Sequence, residues 1–242
     1  MRLINVQTLA FEEFMLVTPA YFDYAILSHT WGDDEVTYQD MANPDRYTCS
    51  KQGFLKIAKT CEFASRDGIK YAWVDTCCID KTSSAELSEA INSMFNWYRD
   101  AKVCYAWLED LPVQSAEPIE SSLRKCRWFT RGWTLQELLA PRRVEFYDSH
   151  WGFRGTKGDL KALIVDASQI ESNVLEYPDT IFRLPIAQRM SWAAMRETTR
   201  LEDMAYCLIV SSPGKRSQKS TRNIAEFSLE APLNSATATR CA

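Results

Sequence analysis

Short apolar runs alternate with amphipathic stretches along most of the chain. Tyr24–Ser28 is an apolar run that opens into the polar stretch His29–Asp34, as a buried strand does where it ends. Apolar positions then repeat at helical spacing from Phe54 to Ala64, and Gly68 ends this segment. The run Tyr71–Asp75 has the pattern of a second strand that ends in a carboxylate. The pattern therefore predicts the order strand, helix, strand.

The same alternation continues to residue 147. Ser83 and Glu86 have the spacing of a capping box, which predicts the start of a helix that precedes a third strand, Lys102–Leu108. Trp133–Ala140 has the pattern of a short helix, and Arg143–Tyr147 follows it as a fourth strand. Strands that alternate with helices favour an α/β fold with a mainly parallel sheet and helices on both faces.

The pattern divides the chain into four parts. We expect a lead-in over 1–23, an α/β core over 24–148 and a mainly helical extension over 149–210. Beyond it the periodicity stops and Ser, Thr, Lys, Arg and Pro dominate, so we expect a disordered tail over 211–242.

Charge separates this tail from the rest of the chain. The 242 residues include 28 Lys+Arg and 32 Asp+Glu, a net charge of −4, yet the tail alone carries +3 and the preceding residues −7. An acidic body argues against a nucleic-acid-binding surface, because phosphate contacts need clustered cations. No apolar run approaches the ~20 residues that span a bilayer. We therefore expect a soluble, cytoplasmic protein without a membrane span.

The eight cysteines lie mostly inside apolar runs rather than between turns. This placement favours free, buried thiols in a reducing compartment over disulfides. Cys77 and Cys78 are adjacent and so lack the CxxC spacing, and His29 and His150 lack zinc spacing. We expect no structural metal.

Three long motifs carry a resemblance to a known family. They are Ala25–Gly32 (AILSHTWG), Trp73–Lys81 (WVDTCCIDK) and Arg131–Leu138 (RGWTLQEL). In this order and spacing they resemble the fungal heterokaryon-incompatibility (HET) domain over residues 24–148, with further family-like segments at 189–194 and 198–208. The resemblance implies a role in nonself recognition, in which such domains trigger the death of fused, incompatible hyphae, and it implies incompatibility proteins as partners.

After Leu208 the sequence departs from the usual continuation of that family. The charge break falls at nearly the same place. The coincidence predicts a truncated or misread gene end, and it makes an inert fragment one interpretation of the chain.

A more distant resemblance suggests chemistry. A strand ending in Ser28, a strand ending in Asp75, a helix start near Glu86, and Trp133-x-x-x-Glu137 before the fourth strand are similar to the order of the Toll/interleukin-receptor (TIR) fold. In TIR enzymes that cleave NAD, a Trp-x-x-x-Glu motif supplies the catalytic glutamate. The resemblance implies Glu137 as the catalytic carboxylate, NAD or a related nucleotide as substrate, and no required cofactor.

The chemistry fits a carboxylate beside an indole. Residues four apart share a helix face, so Trp133 can line a pocket next to Glu137. Cleavage between ribose and nicotinamide passes through an oxocarbenium-like state, which a carboxylate stabilises by its charge. The alternative is that Glu137 is a solvated helix residue or a partner of Arg142 or Arg143.

A polar cluster directly follows the first strand, where open α/β sheets bind ligands. We expect a tryptophan there to stack on a base or nicotinamide ring and the histidine to hydrogen-bond the ligand. The alternative is a packed turn with a buried tryptophan. The cluster consists of Ser28, His29, Trp31, Gly32 and Asp33.

Three acidic residues are further candidates for the site. Asp75 follows the second strand and can hold ribose hydroxyls, and Asp80 can do so or form a turn paired with Lys81. Glu86 closes a capping box or is the alternative catalytic acid.

Two functions from different classes fit these residues. The first is a cell-death effector that hydrolyses NAD, with Arg127 and Arg131 pairing with the phosphates of the dinucleotide unless they form an ordinary solvated basic face. The second is a non-enzymatic signalling module that works by self-association.

Overall fold

A seven-stranded sheet organises the part of the chain that the structure describes. The computed structural model describes residues 1–14, 23–113, 119–198 and 201–208. The strands in this part of the chain are β1 (Arg2–Asn5), β2 (Phe11–Glu13), β3 (Tyr24–His29), β4 (Tyr71–Trp73), β5 (Val103–Trp107), β6 (Val144–Tyr147) and β7 (Phe153–Thr156).

Eleven helices occur in the described ranges, and several of them are a single turn long. They are α1 (Tyr38–Ala42), α2 (Arg46–Ser50), α3 (Gln52–Arg66), α4 (Asp75–Cys78), α5 (Ser84–Asp100), α6 (Ile119–Leu123), α7 (Thr134–Leu139), α8 (Lys161–Ser168), α9 (Ser172–Glu176), α10 (Ile186–Ala193) and α11 (Leu201–Leu208), with 3₁₀ turns at Arg127–Thr130 and Pro178–Arg183.

The centre of the sheet is parallel. The strand order is β2-β1-β4-β3-β5-β6-β7, in which β4, β3, β5 and β6 run parallel, and β2, β1 and β7 join the edges antiparallel. The four parallel strands follow the order second, first, third, fourth, as in flavodoxin-like sheets. The predicted α/β class with a mainly parallel sheet is confirmed.

Helices cover both faces of the central strands. Successive residues of a strand point to opposite faces. In β5, Tyr105 packs edge-on against Phe63 of α3, whereas the Cys104 thiol lies 4.0 Å from the carbonyl oxygen of Glu137 in α7. All residues of β3 and β6 are buried. Burial on both faces explains the continuous apolar stretch Tyr24–Leu27 of β3.

The antiparallel edge strands are absent from the sequence prediction. The hairpin β1–β2 lies in the stretch predicted as a lead-in and pairs with β4, for example Ile4 with Ala72. Strand β7 opens the stretch predicted as mainly helical and pairs with β6. Each has only three or four residues and is partly exposed, so neither shows a long apolar run.

Two local expectations also need correction. The strand predicted to reach Asp75 ends at Trp73, and Asp75 is instead the first residue of α4. At the start of α5, Ser83 accepts a hydrogen bond from the Glu86 backbone, but the Glu86 carboxylate accepts from the backbone of Asp80 and from Arg2. Only the Ser83 half of the predicted capping box forms, because the Glu86 carboxylate binds Arg2 and the Asp80 backbone instead of the Ser83 backbone.

Three further expectations concern the C-terminal tail, the cysteines and a membrane span. The tail predicted over 211–242 lies outside the described residues, as does Cys241. The seven cysteines that are described are free, and all but Cys49 are buried. Among the helices of the described ranges, none is both long and apolar enough to cross a membrane.

Gly53 provides a test of the packing between α3 and the loop after β3. A Cβ atom at this position would lie 2.7 Å from the Val36 backbone nitrogen and 2.8 Å from the Glu35 Cα, and backbone atoms cannot rotate away. We expect Gly53→Ala to lower the free energy of unfolding by about 1–3 kcal/mol in urea titrations. Gly158→Ala is the control, because its nearest atom would be 3.6 Å away. Equal stability of the two variants would contradict this packing.

Candidate functional site

The candidate site lies at the carboxyl end of β3. This strand has β4 on one side and β5 on the other, so its end is the point at which the strand order reverses. Ligands of open α/β sheets bind at such a point, outside the carboxyl ends of the strands. Ser28 and His29 are the last two residues of β3, and their side chains point to opposite faces of the sheet.

On one face, Ser28 joins α7 to the sheet. Its hydroxyl donates a short hydrogen bond to Glu137 Oε2, and it accepts a hydrogen bond of 2.8 Å from the indole nitrogen of Trp128. All three residues are buried, with Glu137 only 6% exposed. The interpretation of Glu137 as a solvated helix residue is therefore wrong. The structure brings together Ser28 and Glu137, which are 109 positions apart.

Burial changes the ionisation of this carboxyl group. Burial is the largest effect and raises the pKa of Glu137 to about 8, with a smaller contribution from the negative charge of Asp75. The hydrogen bond from Ser28 and the charges of Arg131 and Arg196 oppose the shift without cancelling it. At neutral pH Glu137 is thus mostly protonated.

The short helix α7 is fixed at both ends. At its start, the Thr134 hydroxyl donates to the carbonyl oxygens of Trp128 (2.5 Å) and Arg131 (2.8 Å), and Arg196 donates to the same Arg131 oxygen. At its end, the buried ammonium of Lys157 donates to two carbonyl oxygens, a favourable position for a cation. These contacts hold Glu137 in place.

On the other face, Asp75 connects two residues of the loop motif. One carboxylate oxygen lies 3.1 Å from His29 Nε2, and the other accepts a hydrogen bond of 2.8 Å from the Trp31 indole nitrogen. Burial raises the pKa of Asp75, but the hydrogen bond from His29, with help from the charge of Lys81 and the hydrogen bond from Trp31, holds this pKa below its ordinary value. Asp75 is therefore ionised at neutral pH.

The site thus contains two carboxyl groups with opposite protonation states. Asp75 lies among donors and a cation, whereas Glu137 is fully buried and has the hydroxyl groups of Ser28 and Tyr98 as hydrogen-bond partners. Environments that separate the pKa values of neighbouring acids are typical of sites that use them for different roles.

Behind His29 lies a buried ion pair that the sequence analysis does not predict. The ammonium of Lys56 forms a short ion pair with Glu35 and lies 3.2 Å from both His29 Nδ1 and the Thr30 carbonyl oxygen. Because a lysine ammonium can only donate, His29 Nδ1 accepts and its Nε2 carries the proton toward Asp75. One carboxylate oxygen of Glu35 is buried without a hydrogen-bond partner among the described residues.

One signal in the sequence could have located Lys56. It falls on the face of α3 that carries Ile57, Cys61 and Ala64, so a charged side chain interrupts an otherwise buried stripe. Helical spacing alone places it inside the protein. Trp128 and Glu35 have no comparable local signal.

The remaining loop residues are more exposed. Trp31 is 43% exposed, and the ammonium of Lys81 lies 3.6 Å from the centre of its ring. The Gly32 backbone donates to Glu35 at 2.8 Å, and Asp33 is exposed. The alternative of a packed turn with a buried tryptophan does not hold, because part of the Trp31 indole is exposed to solvent.

Two predicted acids have other partners. Asp80 accepts hydrogen bonds from Thr82 and from Gln39, as expected for a turn residue. Lys81 packs on the ring of Trp31 rather than pairing with Asp80. Glu86 binds Arg2.

Three predicted residues, Arg127, Arg131 and Trp133, lie in the segment directly before α7. Trp133 packs partly buried against the core at the helix start, and Arg131 is half-buried, with its carbonyl oxygen used by Arg196. Arg127 is exposed and its backbone donates to Asp110. Within the described ranges no cluster of three or more His, Cys, Asp or Glu residues is arranged to hold a metal ion.

Comparison with known proteins points to one family. The family model described as Heterokaryon incompatibility protein (HET) matches residues 24–117. Vegetative incompatibility protein HET-E-1 of Podospora anserina is 47% identical over an alignment of 192 positions that covers 76% of this chain. The chain spans only 14% of that relative's length. No solved structure matches the chain.

Proposed function

Because the chain belongs to the heterokaryon incompatibility (HET) domain family, we propose that it acts in fungal nonself recognition and triggers death of incompatible fused cells. The support is the similarity to a vegetative incompatibility protein over most of the chain. As that relative is much longer, the partners that it recognises are not carried over. The proposal is confined to what a HET domain contributes.

The mechanism that we propose is hydrolysis of NAD at the end of β3. The N-glycosidic bond between nicotinamide and ribose breaks, and its electron pair neutralises the positive ring nitrogen of the leaving nicotinamide. A water oxygen then bonds to the ribose carbon and loses its proton to solvent. The ribose carbon carries positive charge between these events, so a buried negative group beside it lowers the barrier.

The observation that carries this mechanism is the buried hydrogen bond between Ser28 and Glu137 at the strand-order reversal. The Ser28 hydroxyl fixes one carboxyl oxygen, and we propose that the carboxylate of Glu137 faces a ribose hydroxyl or the developing charge. Ionised Glu137 stabilises a cation, and an approaching nicotinamide cation itself favours the ionised form. On the other face, the exposed edge of Trp31 offers a surface on which a ring can stack.

The ionisation of Glu137 gives the reaction a pH dependence. Since its pKa is about 8 in the free protein, the ionised fraction grows as pH rises toward that value. We expect the rate at limiting NAD concentration to rise with pH up to about 8 and then to level off.

The test is expression in yeast of the whole chain and of Glu137→Gln, with growth and cellular NAD measured together. We expect the unmodified chain to stop growth and deplete NAD, and Glu137→Gln to hydrolyse NAD at least about 100-fold more slowly. Glu89→Gln is the matched control, because Glu89 is an exposed glutamate of α5. Glu86→Gln tests the other candidate acid and should behave like the control.

Two results would contradict the enzymatic mechanism. If the unmodified chain and Glu137→Gln kill equally while NAD stays level, death proceeds by self-association without chemistry. If neither affects growth, the chain does not act alone as an effector.

A further inference from the structure

A cavity lies near the start of α7, and Arg196, which donates to Thr134 there, is one of its lining residues. It measures about 320 Å³, within the range of sites that hold small molecules. Its wall is built from α8, α10 and the residues that follow α10. The residues that matter here are Arg124, Phe129, Ser191, Trp192 and Arg196.

Arg196 is the unusual member of this wall. It is only 5% exposed, and one end of its guanidinium group donates to the Arg131 carbonyl oxygen at 2.8 Å and to the Thr134 hydroxyl at 2.9 Å. The other end, Nη2, is buried and has no hydrogen-bond partner in the described part of the chain. A buried donor of a charged group without an acceptor is costly, so its presence beside a cavity indicates a missing acceptor.

We infer that this cavity binds a small organic anion whose phosphate or carboxylate group accepts from Arg196. Guanidinium groups bind both of these anions through paired, charge-assisted hydrogen bonds. The volume exceeds that of a bare ion, and Phe129 and Trp192 supply apolar surface for a ring.

The mouth of the cavity supports the same chemistry. Arg124 and Asp166 form an ion pair of 3.2 Å there, and both side chains are more than half exposed. Exposed ion pairs contribute little stability and exchange readily. Arg124 can therefore turn from Asp166 to an entering anion.

The cavity is separate from the proposed NAD site but shares a connection with it. Arg196 stands between the cavity and Thr134, the first residue of the helix that carries Glu137. An anion bound to Arg196 would neutralise one of the cations near Glu137. The inference does not depend on NAD hydrolysis, since binding is measured directly.

Binding is tested on the full chain with three probes that share a ring: phenyl phosphate, benzoate and the neutral benzyl alcohol. We expect at least one of the anions to bind in calorimetry and, at a hundredfold excess over Kd, to raise Tm by roughly 5–10 °C at constant ionic strength. Benzyl alcohol should bind at least tenfold more weakly. The better anion identifies the group that the site prefers.

A variant pair locates the site. Ser191→Asp adds a negative charge to the wall and should weaken the anion at least tenfold, whereas Ser88→Asp, on the exposed surface of α5, should not. Arg124→Ala provides a second variant at the mouth and should weaken the anion several-fold. Failure of both anions to bind, or unchanged affinity in Ser191→Asp and Arg124→Ala, would overturn the inference.

Discussion

Glu137→Gln is expected to stabilise the protein at neutral pH. An unfolded glutamate ionises near its ordinary pKa of 4.5, whereas Glu137 in the folded protein ionises at about 8. A group with a raised pKa contributes stability that is complete below 4.5 and is lost as pH rises through about 8. The loss amounts to about 3–5 kcal/mol over this window. Glutamine has no proton to lose and keeps an acceptor for Ser28, so the variant avoids the loss.

The measurement is the free energy of unfolding in urea at pH 5, 7 and 9 for both proteins. We expect the stability of the unmodified protein to fall relative to the variant across this series. The comparison with the variant cancels other titrations, among them Lys157, whose pKa burial lowers to about 8. A constant difference between the two proteins at all three pH values would show that Glu137 ionises normally.

Together with the growth assay, this result would distinguish a functional carboxylate from a structural one. A residue kept for stability loses stability when it is replaced. A catalytic group in a costly environment does the opposite, because its replacement removes activity and increases stability. Glu137→Gln tests both properties with one atom exchanged.

The central fold was predictable because local pattern and tertiary structure agree there. The apolar runs of β3 and β5 predict strands directly, and the buried positions of α3 repeat at helical spacing. The edge strands β1, β2 and β7 are short, and their partners lie far away or in an irregular stretch. Their pairing depends on a sheet edge that exists only after the centre has formed.

The sequence predicts where the candidate site residues lie, but it does not predict which of them hydrogen-bond to each other. Strand ends placed Ser28 and Asp75 at one edge of the sheet, since parallel strands share the direction of their carboxyl ends. Which side chains hydrogen-bond there depends on tertiary packing between residues far apart in the sequence. Ser28 and Glu137, for example, are 109 positions apart. Glu86 shows the limit of local rules, because Arg2 competes successfully for its carboxylate.

Lys56→Met is expected to cause the largest loss of stability among single changes near the site. The variant removes the only charge partner that Glu35 has among the described residues at short range, and it leaves His29 Nδ1 without its donor. Glu35 is mostly buried, with 13% of its side chain exposed, and one of its oxygens already lacks a partner. Removing one member of a buried ion pair costs about 3–5 kcal/mol, because the other charge stays buried.

The same helix supplies the control. Lys59 pairs with Glu62 on the outer face of α3, with 32% and 59% of the side chains exposed, so Lys59→Met should change stability by about 0.5 kcal/mol or less. Both variants remove a lysine and keep a long side chain. Urea titrations of the two, at one pH, isolate the effect of burial from that of net charge.

A double variant identifies the source of the loss. If the cost of Lys56→Met comes from the uncompensated Glu35 carboxylate, then Glu35→Gln in the same protein should restore more than half of the lost stability, since no buried charge remains. If instead the cost comes from the lost contact of the ammonium with the Trp107 ring, whose centre is 5.1 Å away, the second change will restore nothing. Restoration would mean that the buried Glu35 carboxylate, once it has lost its partner, is the source of the instability.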